Sequence, residues 1–159
     1  MTFAEEMLAA LKSRHSCRSF DTSYKLSEDQ FGILLMAIDC GPSAGDIRPY
    51  SVWHTSEKEK KDALRLAALD QQFISECSMV FCICADPAKS QEKYGGRGTL
   101  YAIQDATIAG MCVTFAASGL GLGTCWVGSI ADEAAVRRIL KIPGEHMPLS
   151  LICIGKQKL

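Results

Sequence analysis

Apolar residues follow two different spacings along the chain, one typical of helices and one typical of strands. Phe3, Met7, Leu8 and Leu11 fall on one face of a helix-period segment, which predicts an amphipathic first helix. Residues 79–85 instead form a continuous apolar run of strand length, which is typical of a strand covered on both faces. The chain therefore combines helices that bury one face with strands that bury two.

Capping signals divide the rest of the chain into elements. Ser27 with Gln30, and Ser56 with Glu59, form two candidate capping boxes, and Asp132 is a third candidate N-cap. The predicted helices cover 27–40, 56–69, 99–118 and 132–140, and the predicted strands cover 50–55, 79–85, 122–127 and 149–154. A polar, glycine-bearing loop is predicted over 86–98. This alternation indicates an α/β or α+β layer architecture.

Composition narrows the class of protein. With 159 residues, 48% hydrophobic and 22% charged, the chain is expected to form one domain over 1–159. A net charge of −1 excludes a general basic field for nucleic acid or an anionic membrane. Residues 106–131 carry no charge, yet acids flank them and glycines interrupt them, so we expect a buried helix, a turn and a buried strand rather than a membrane span.

Eight cysteines are present, and the first residues read as an amphipathic helix rather than a signal peptide. Cys82 and Cys84 share one face of the predicted strand, but neither a C-x-x-C pair nor a histidine at metal-ligand spacing occurs. We therefore expect reduced, mostly buried thiols in a cytoplasmic protein, and no metal site.

The glycine run Gly119-Leu120-Gly121-Leu122-Gly123 superficially suggests a dinucleotide-binding loop. Such a loop follows a strand and opens a helix, whereas these glycines follow a helix and lead into a strand. A tight helix-to-strand turn is the better interpretation. No constellation of acid, base and nucleophile is found elsewhere, so any redox chemistry would be carried by a cofactor.

A basic and polar cluster follows the first helix. Arg14, His15, Ser16 and Arg18 lie within five residues, and guanidinium groups match phosphate oxygens in a bidentate way. The cluster therefore predicts a phosphate-binding segment, with a solvated loop as the alternative.

Four motifs in order along nearly the whole chain resemble the nitroreductase family of FMN-dependent oxidoreductases. They are Arg14-His15-Ser16-x-Arg18-x-Phe20, Pro42-Ser43-Ala44 through Pro49-Tyr50, the run Gly119 to Gly128 containing Trp126, and Ile154-Gly155-Lys156. The resemblance implies an α+β fold with a central, mostly antiparallel sheet packed between helices, in a homodimer. It also implies FMN at the subunit interface, held by both chains.

The family pattern assigns a role to each matching position. Arg14, His15, Ser16 and Arg18 would hold the phosphate and ribityl end, and Lys156 and Lys158 would complete that site. Pro42, Ser43 and Ala44 would come from the partner chain, against the flavin ring. Trp126, Val127 and Gly128 would line the ring near N5, and Gln71 would reach its ribityl or pyrimidine side. Two alternatives stay open at this point: Trp126 as plain core, and the lysines as a solvated terminus.

The implied activity is electron transfer from NADH or NADPH, through FMN, to a small-molecule acceptor such as a nitro compound or quinone. No side chain is expected to be catalytic. The alternative is a flavin-binding carrier or sensor without nicotinamide turnover, which a short 86–98 loop and the lack of a C-terminal arm would favour.

Three positions depart from the family pattern in the second motif. Asp46, Arg48 and Tyr50 stand where the family usually has Asn, Gln and Trp, and a carboxylate and a guanidinium there are expected to alter the charge preference for substrates. Tyr94 and Arg97, in the predicted loop, are candidates for substrate or nicotinamide contact, with a solvated loop as the alternative.

Overall fold

The fold was described from a computed structural model, which covers residues 1–158. Its helices are α1 (Phe3–Ser13), α2 (Glu28–Ala37), α3 (Lys58–Ala67), α4 (Phe73–Glu76), α5 (Pro87–Tyr94), α6 (Gly98–Gly119) and α7 (Glu133–Leu140). Its strands are β1 (Tyr50–Thr55), β2 (Met79–Ala85), β3 (Gly123–Val127) and β4 (Met147–Gly155). Short 3-10 turns lie at Ile38–Cys40, Ala44–Asp46 and Gly95–Arg97.

The four strands form one antiparallel sheet in the order β1-β2-β4-β3. The register places Trp53 opposite Cys82 and Phe81 opposite Ile152, and it shifts once, between Ile83 and Cys84. The chain thus inserts β4 between β2 and β3.

One face of the sheet packs against the long helix α6 and against α2. Phe81, Ile83 and Ile152 on this face are fully buried, together with Leu34 of α2. From α6 the core takes mainly small residues, Ala102, Ala106, Val113 and Ala117. Small side chains let the helix axis approach the sheet closely, which explains why this apolar helix is rich in alanine and glycine.

The other face of the sheet packs against α3 and α7. Its core contains Leu64, Val136, Leu151 and six of the eight cysteines, namely Cys17, Cys77, Cys82, Cys84, Cys125 and Cys153. All eight cysteines are free thiols. Both faces of the sheet are therefore covered, as the continuous apolar strands predict, and the α+β prediction with a central antiparallel sheet is confirmed.

The expected absence of a membrane span rests on the packing of α6. The stretch Pro87–Gly119 contains a window of mean hydropathy 1.3 that is long and apolar enough to cross a bilayer. In the fold this helix lies along the sheet, with Ala106, Ala109 and Val113 buried against it. It is the core helix that the sequence predicts.

Most predicted elements occur, with three corrections. Residues 86–98 are not a loop, because Asp86 caps α5 by accepting the N–H of Lys89 and Pro87 occupies the first turn. Ser56 does not cap α3, whose N-cap is Glu57 without a side-chain bond. The short helix α4 was not predicted. The Ser27–Gln30 capping box and the Asp132 cap are both present.

The first helix does not bury the apolar face that its sequence predicts. No residue of α1 is buried, and Phe3 is 76% exposed. Met7, Leu8 and Leu11 are also exposed on this helix. A single chain therefore leaves much of the apolar stripe on α1 exposed, although α1 lies against α6.

Candidate cofactor site

The segment 14–20 runs along the free edge of β3. The backbone N–H of Cys17 donates to the carbonyl of Thr124 at 2.8 Å, and Ser16 forms a parallel bridge with the same residue. The side chains of Cys17 and Phe20 are buried and fix the segment, whereas Ser16 and Arg18 between and beside them stay exposed. The alternation of buried and exposed positions thus directs the polar groups outward.

The C-terminal residues of the described chain lie beside this segment. The N–H of Asp21 donates to the carbonyl of Lys156 at 2.9 Å, and the N–H of Lys158 donates to the carbonyl of Ser19 at 3.0 Å. Phe20 bridges Gln157 in antiparallel fashion. The structure therefore brings the first and last sequence motifs together.

Two adjoining hollows open where these segments meet. A small one, of about 120 Å³, is lined by Arg14, His15 and the turn 121–124. A larger one, of about 900 Å³, is lined by Ser19–Thr22, Glu76 and the residues Lys156, Gln157 and Lys158. Gly121 and Gln157 line both hollows. Ser16 and Arg18 lie in the same segment but line neither.

In the part of the chain that the structure describes, the cations of these two motifs form no ion pair, although the carboxylates of Asp21 and Glu76 also line the larger hollow. Within residues 1–158, none of Arg14, Arg18, Lys156 and Lys158 forms an ion pair within 4 Å. The Nζ of Lys156 donates to the carbonyl of Gly121 at 3.4 Å. Hydrogen bonds from Ser23 chiefly lower the pKa of Asp21, and the charge of Lys158 contributes. A group of cations without carboxylate partners is the donor set that suits a phosphate dianion.

Two glycines are required for this arrangement by close packing. A Cβ on Gly123 would lie 2.8 Å from Sγ of Cys17, and one on Gly155 would lie 2.9 Å from the backbone nitrogen of Ser78. Gly121 takes a positive φ of 68° in the turn that precedes β3. The interpretation of the glycine run as a helix-to-strand turn is confirmed. The lack of a side chain at Gly123 also lets the 14–20 segment pack against the edge of the sheet.

Pro42, Ser43 and Ala44 lie elsewhere, near the N-terminal half of α6. The hydroxyl of Ser43 and the N–H of Ala44 both donate to Oδ2 of Asp105, at 2.7 and 3.0 Å. Ser118, which lines the small hollow, lies thirteen residues further along the same helix. At 1.5 Å per residue the two positions are about 20 Å apart. One chain therefore does not bring the Pro42 element to the Arg14 segment.

The three unusual residues of the second motif form a local network. The guanidinium of Arg48 lies 3.1 Å from Oδ1 of Asp46 and donates to the hydroxyl of Tyr50 at 3.0 Å. That hydroxyl in turn donates to Oδ1 of Asp39 at 2.9 Å. Hydrogen bonding to Tyr50 chiefly raises the pKa of Arg48, and burial chiefly raises the pKa of Tyr50. The charges of Asp46 and Arg48, which the family pattern lacks, thus compensate each other within the chain.

The side chains of Trp126 and Val127 point to opposite faces of the sheet. The indole of Trp126 packs on α6, where a Cβ on Gly110 would lie 2.7 Å from it, and Val127 is buried against α3 and α7. The structure thus places Trp126 in the core layer. Gly128 is exposed, and a Cβ there would meet nothing within 4 Å.

Gln71 lies beside the loop that follows Gly128. Its side-chain amide donates to the carbonyl of Ala68 at 2.9 Å, and the N–H groups of Ala131 and Asp132 donate to the carbonyl of Ala67. The two residues before it, Leu69 and Asp70, have φ of 61° and 54°. Left-handed backbone at two consecutive non-glycine residues is rare and marks a tightly held turn.

Comparison with known proteins gives consistent family and fold assignments. The family model described as nitroreductase matches residues 11–76 and 65–156. A protein of Methanothermobacter thermautotrophicus, provisionally named an NADH dehydrogenase/NAD(P)H nitroreductase, is 29% identical over 153 residues, covering 94% of this chain and 76% of its own. A Bacillus subtilis protein named FMN reductase (NADPH) is 25% identical, and the match covers 93% of this chain and 64% of the reductase.

The fold is also found among solved structures. A structure described as an FMN-dependent nitroreductase from Clostridium difficile superimposes with a TM-score of 0.83 at 24% identity. The match covers 96% of this chain and 88% of that chain. The likeness extends over nearly all of the described residues.

Proposed function

Since the chain belongs to the nitroreductase family, we propose that it is an FMN-dependent oxidoreductase using NADH or NADPH as the electron donor. Bound FMN would supply the redox chemistry, accepting hydride at N5 and passing the electrons to a nitro compound, quinone or similar small acceptor. The relatives named for FMN and NAD(P)H support this assignment. We further propose that the protein works in the cytoplasm.

The observation that supports the proposal is that the first and last motifs, which carry cations without ion-pair partners among residues 1–158, lie side by side along adjoining hollows. Arg14 and Arg18 would meet the phosphate from one side, and Lys156 and Lys158 from the other, with His15 and Ser16 as further polar contacts. Charge-assisted hydrogen bonds to a dianion are about twice as strong as neutral ones. The residues present therefore fit the cofactor without any side chain having to titrate.

The remaining contacts would come from backbone and from a second subunit. Gly128 leaves open space that nothing in the described chain fills, so a flat ring could approach its backbone closely. Because Trp126 and Val127 direct their side chains into the core, their contribution would be backbone atoms. Gln71, on the adjoining turn, would reach the ribityl or pyrimidine side.

A homodimer would complete the site. The Pro42 element and the Arg14 segment are about 20 Å apart along α6 in one chain, so they can share one cofactor only across an interface. The exposed apolar stripe of α1 supports such an interface, because monomers rarely leave a contiguous apolar surface uncovered.

The first test is the visible absorption spectrum of the purified protein, followed by chromatography of any released cofactor. We expect an FMN spectrum that bleaches on addition of NADH or NADPH and recovers with a quinone or nitro acceptor. A bound flavin that no nicotinamide reduces would instead indicate a carrier or sensor. The carrier or sensor alternative relied partly on a short open loop at 86–98. Because these residues form α5 instead, loop length does not support that alternative.

The second test removes one cation. Arg14→Ala is expected to weaken FMN binding by about 1.5–3 kcal/mol, the range for a hydrogen bond to a charged group. Arg138→Ala, an exposed arginine on α7, is the matched control and should leave the FMN dissociation constant unchanged. Equal dissociation constants for wild type and Arg14→Ala would remove Arg14 from the site.

A further inference from the structure

Helix α6 carries a buried carboxylate that has no cationic partner. Asp105 is 5% exposed, and among residues 1–158 no lysine, arginine or histidine lies within 4 Å of its oxygens. Its hydrogen-bond donors are the hydroxyl of Ser43 and the N–H of Ala44. Burying a charge is unfavourable unless strong hydrogen bonds offset the lost hydration. The two hydrogen bonds from Ser43 and Ala44 are therefore what stabilises this buried carboxylate, and they tie the Pro42–Ala44 element to α6.

The loop that it holds is strained. Gly45, Asp46 and Arg48 have φ of 59°, 55° and 52°, and this left-handed backbone is unfavourable for the two non-glycine residues. Within the loop, the N–H of Arg48 donates to the hydroxyl oxygen of Ser43 at 2.8 Å. Ser43 thus links Asp105 to the far end of the turn, so one carboxylate fixes both halves.

Helix α5 closes the other side of the same loop. A Cβ on Gly45 would clash with the Tyr94 hydroxyl and the Lys93 ammonium, and Nζ of Lys89 donates to the carbonyl of Arg48 at 3.3 Å. These contacts leave little freedom for the turn to change its backbone. The loop is preorganised before any ligand arrives.

We propose that Asp105 is a positioning residue that presents the Pro42–Ala44 element as a fixed platform to the cofactor of the neighbouring subunit. The inference rests on the proposed function. Asp105 binds the hydroxyl of Ser43 and the N–H of Ala44, while the neighbouring Pro42 stays exposed. An exposed proline ring is an apolar surface that suits the face of a conjugated ring.

The test compares three variants with the FMN-loaded wild type. Asp105→Asn keeps the shape and one acceptor oxygen but removes the charge, and we expect the FMN dissociation constant to rise about 5- to 10-fold, because charged hydrogen bonds become neutral. Ser43→Ala, which breaks the same contact from the loop side, should raise it similarly. Ser43→Thr retains the hydroxyl and should restore near wild-type binding.

A matched control separates positioning from simple loss of a buried polar group. Thr114 is equally buried in α6, but its hydroxyl donates only to the carbonyl of Gly110 in its own helix. Thr114→Val should change the FMN dissociation constant less than about twofold. The visible circular dichroism of bound flavin should change in Asp105→Asn and Ser43→Ala only, since a loosened platform alters the asymmetric surroundings of the ring.

Amide hydrogen exchange supplies a readout that does not need the cofactor. In FMN-free Asp105→Asn, the amides of Ala44 and Arg48 should exchange faster than in wild type. If Asp105→Asn matches wild type in FMN affinity and flavin dichroism while melting at a lower temperature, Asp105 is merely structural and the proposal is overturned. If wild type itself binds no FMN, the proposed function fails as well, so the two failures are distinguishable.

Discussion

At the scale of single residues, the proposed cofactor site depends on glycines, because their lack of a side chain lets other segments approach closely. Gly123 has no side chain at the point where the 14–20 segment crosses β3, and Gly155 has none where Phe20 and Ser78 meet β4. The sequence shows these glycines but not their reason, because the close approach joins residues far apart along the chain. Asp105 is a similar case: the sequence shows it only as the acid that borders the uncharged stretch 106–131, and the fold alone brings Ser43 to it.

A methyl group at Gly123 should disturb both stability and cofactor binding. Gly123→Ala places a Cβ against Cys17, and we expect a loss of about 1–3 kcal/mol in the free energy of unfolding, as for overpacked cores. Displacement of Arg14 should weaken FMN binding as well. Gly119→Ala, where a Cβ meets nothing within 4 Å, is the control and should not destabilise, as urea unfolding would show.

The buried thiols should be inert in the native protein. Hydrogen bonding to Cys84 and burial hold the pKa of Cys82 well above its usual value, and a hydrogen bond with Cys77 together with burial does the same for the pKa of Cys153. Since the thiolate is the reactive form, iodoacetamide should modify exposed Cys40 first and leave the six core cysteines intact. Mass spectrometry of peptides would show this.

Urea and Cys40→Ser provide the controls for that labelling. All six core thiols should react once the protein is unfolded, and the fast phase should disappear in Cys40→Ser. Modification of Cys82 or Cys153 in native protein as fast as Cys40 would contradict the packing described here.

At the scale of elements, apolar runs and capping residues in the sequence were mostly sufficient to locate the strands and helices. The apolar runs gave β1 and β2 with their observed bounds, and the Ser27–Gln30 box and the Asp132 cap occur as expected. The polar composition of residues 86–98 favours a loop, and this prediction is wrong. The pair Asp86-Pro87 is the local signal for a helix, because Asp86 is an N-cap and Pro87 lies in the first turn. The polar face of α5 is simply its solvent side.

The two candidate capping boxes provide a direct comparison of helix starts. Ser27→Ala removes a side-chain acceptor for the N–H of Gln30 and should cost about 0.5–2 kcal/mol. Ser56→Ala should change the free energy of unfolding by less than about 0.5 kcal/mol, because α3 begins after Glu57 without a side-chain cap. If urea unfolding shows an equal loss of unfolding free energy for the two variants, then Ser27 does not cap α2 more strongly than Ser56 caps α3, contrary to the structure.

At the scale of the whole molecule, strand order was beyond the reach of the sequence. Apolar runs identify strands but do not say which strands are neighbours, and here β4 enters between β2 and β3. The same limit applies to α1, whose amphipathic pattern predicts a buried face but not whether the burying surface belongs to the same chain. The four ordered motifs supplied the family, whereas the separation of two of them by about 20 Å along α6 appeared only in the fold.

A charge placed on the α1 stripe should therefore disrupt assembly. If α1 forms the proposed dimer interface, Leu8→Lys should convert dimer to monomer in analytical ultracentrifugation and lower FMN occupancy with it, because a lysine buried at an interface loses its hydration. Glu59→Lys, which introduces the same side chain at an exposed position on α3, should leave both unchanged. A Leu8→Lys protein that remains dimeric and flavin-loaded would place the interface elsewhere.

The seating of the 14–20 segment on β3 has a consequence for solubility. β3 is an edge strand, and the segment occupies its outward side through the Cys17 to Thr124 hydrogen bond. An uncovered sheet edge is a template for strands of other molecules. The residues proposed to bind phosphate thus also cover the edge of the sheet, so a molecule in which this segment detaches would expose a strand edge that promotes aggregation.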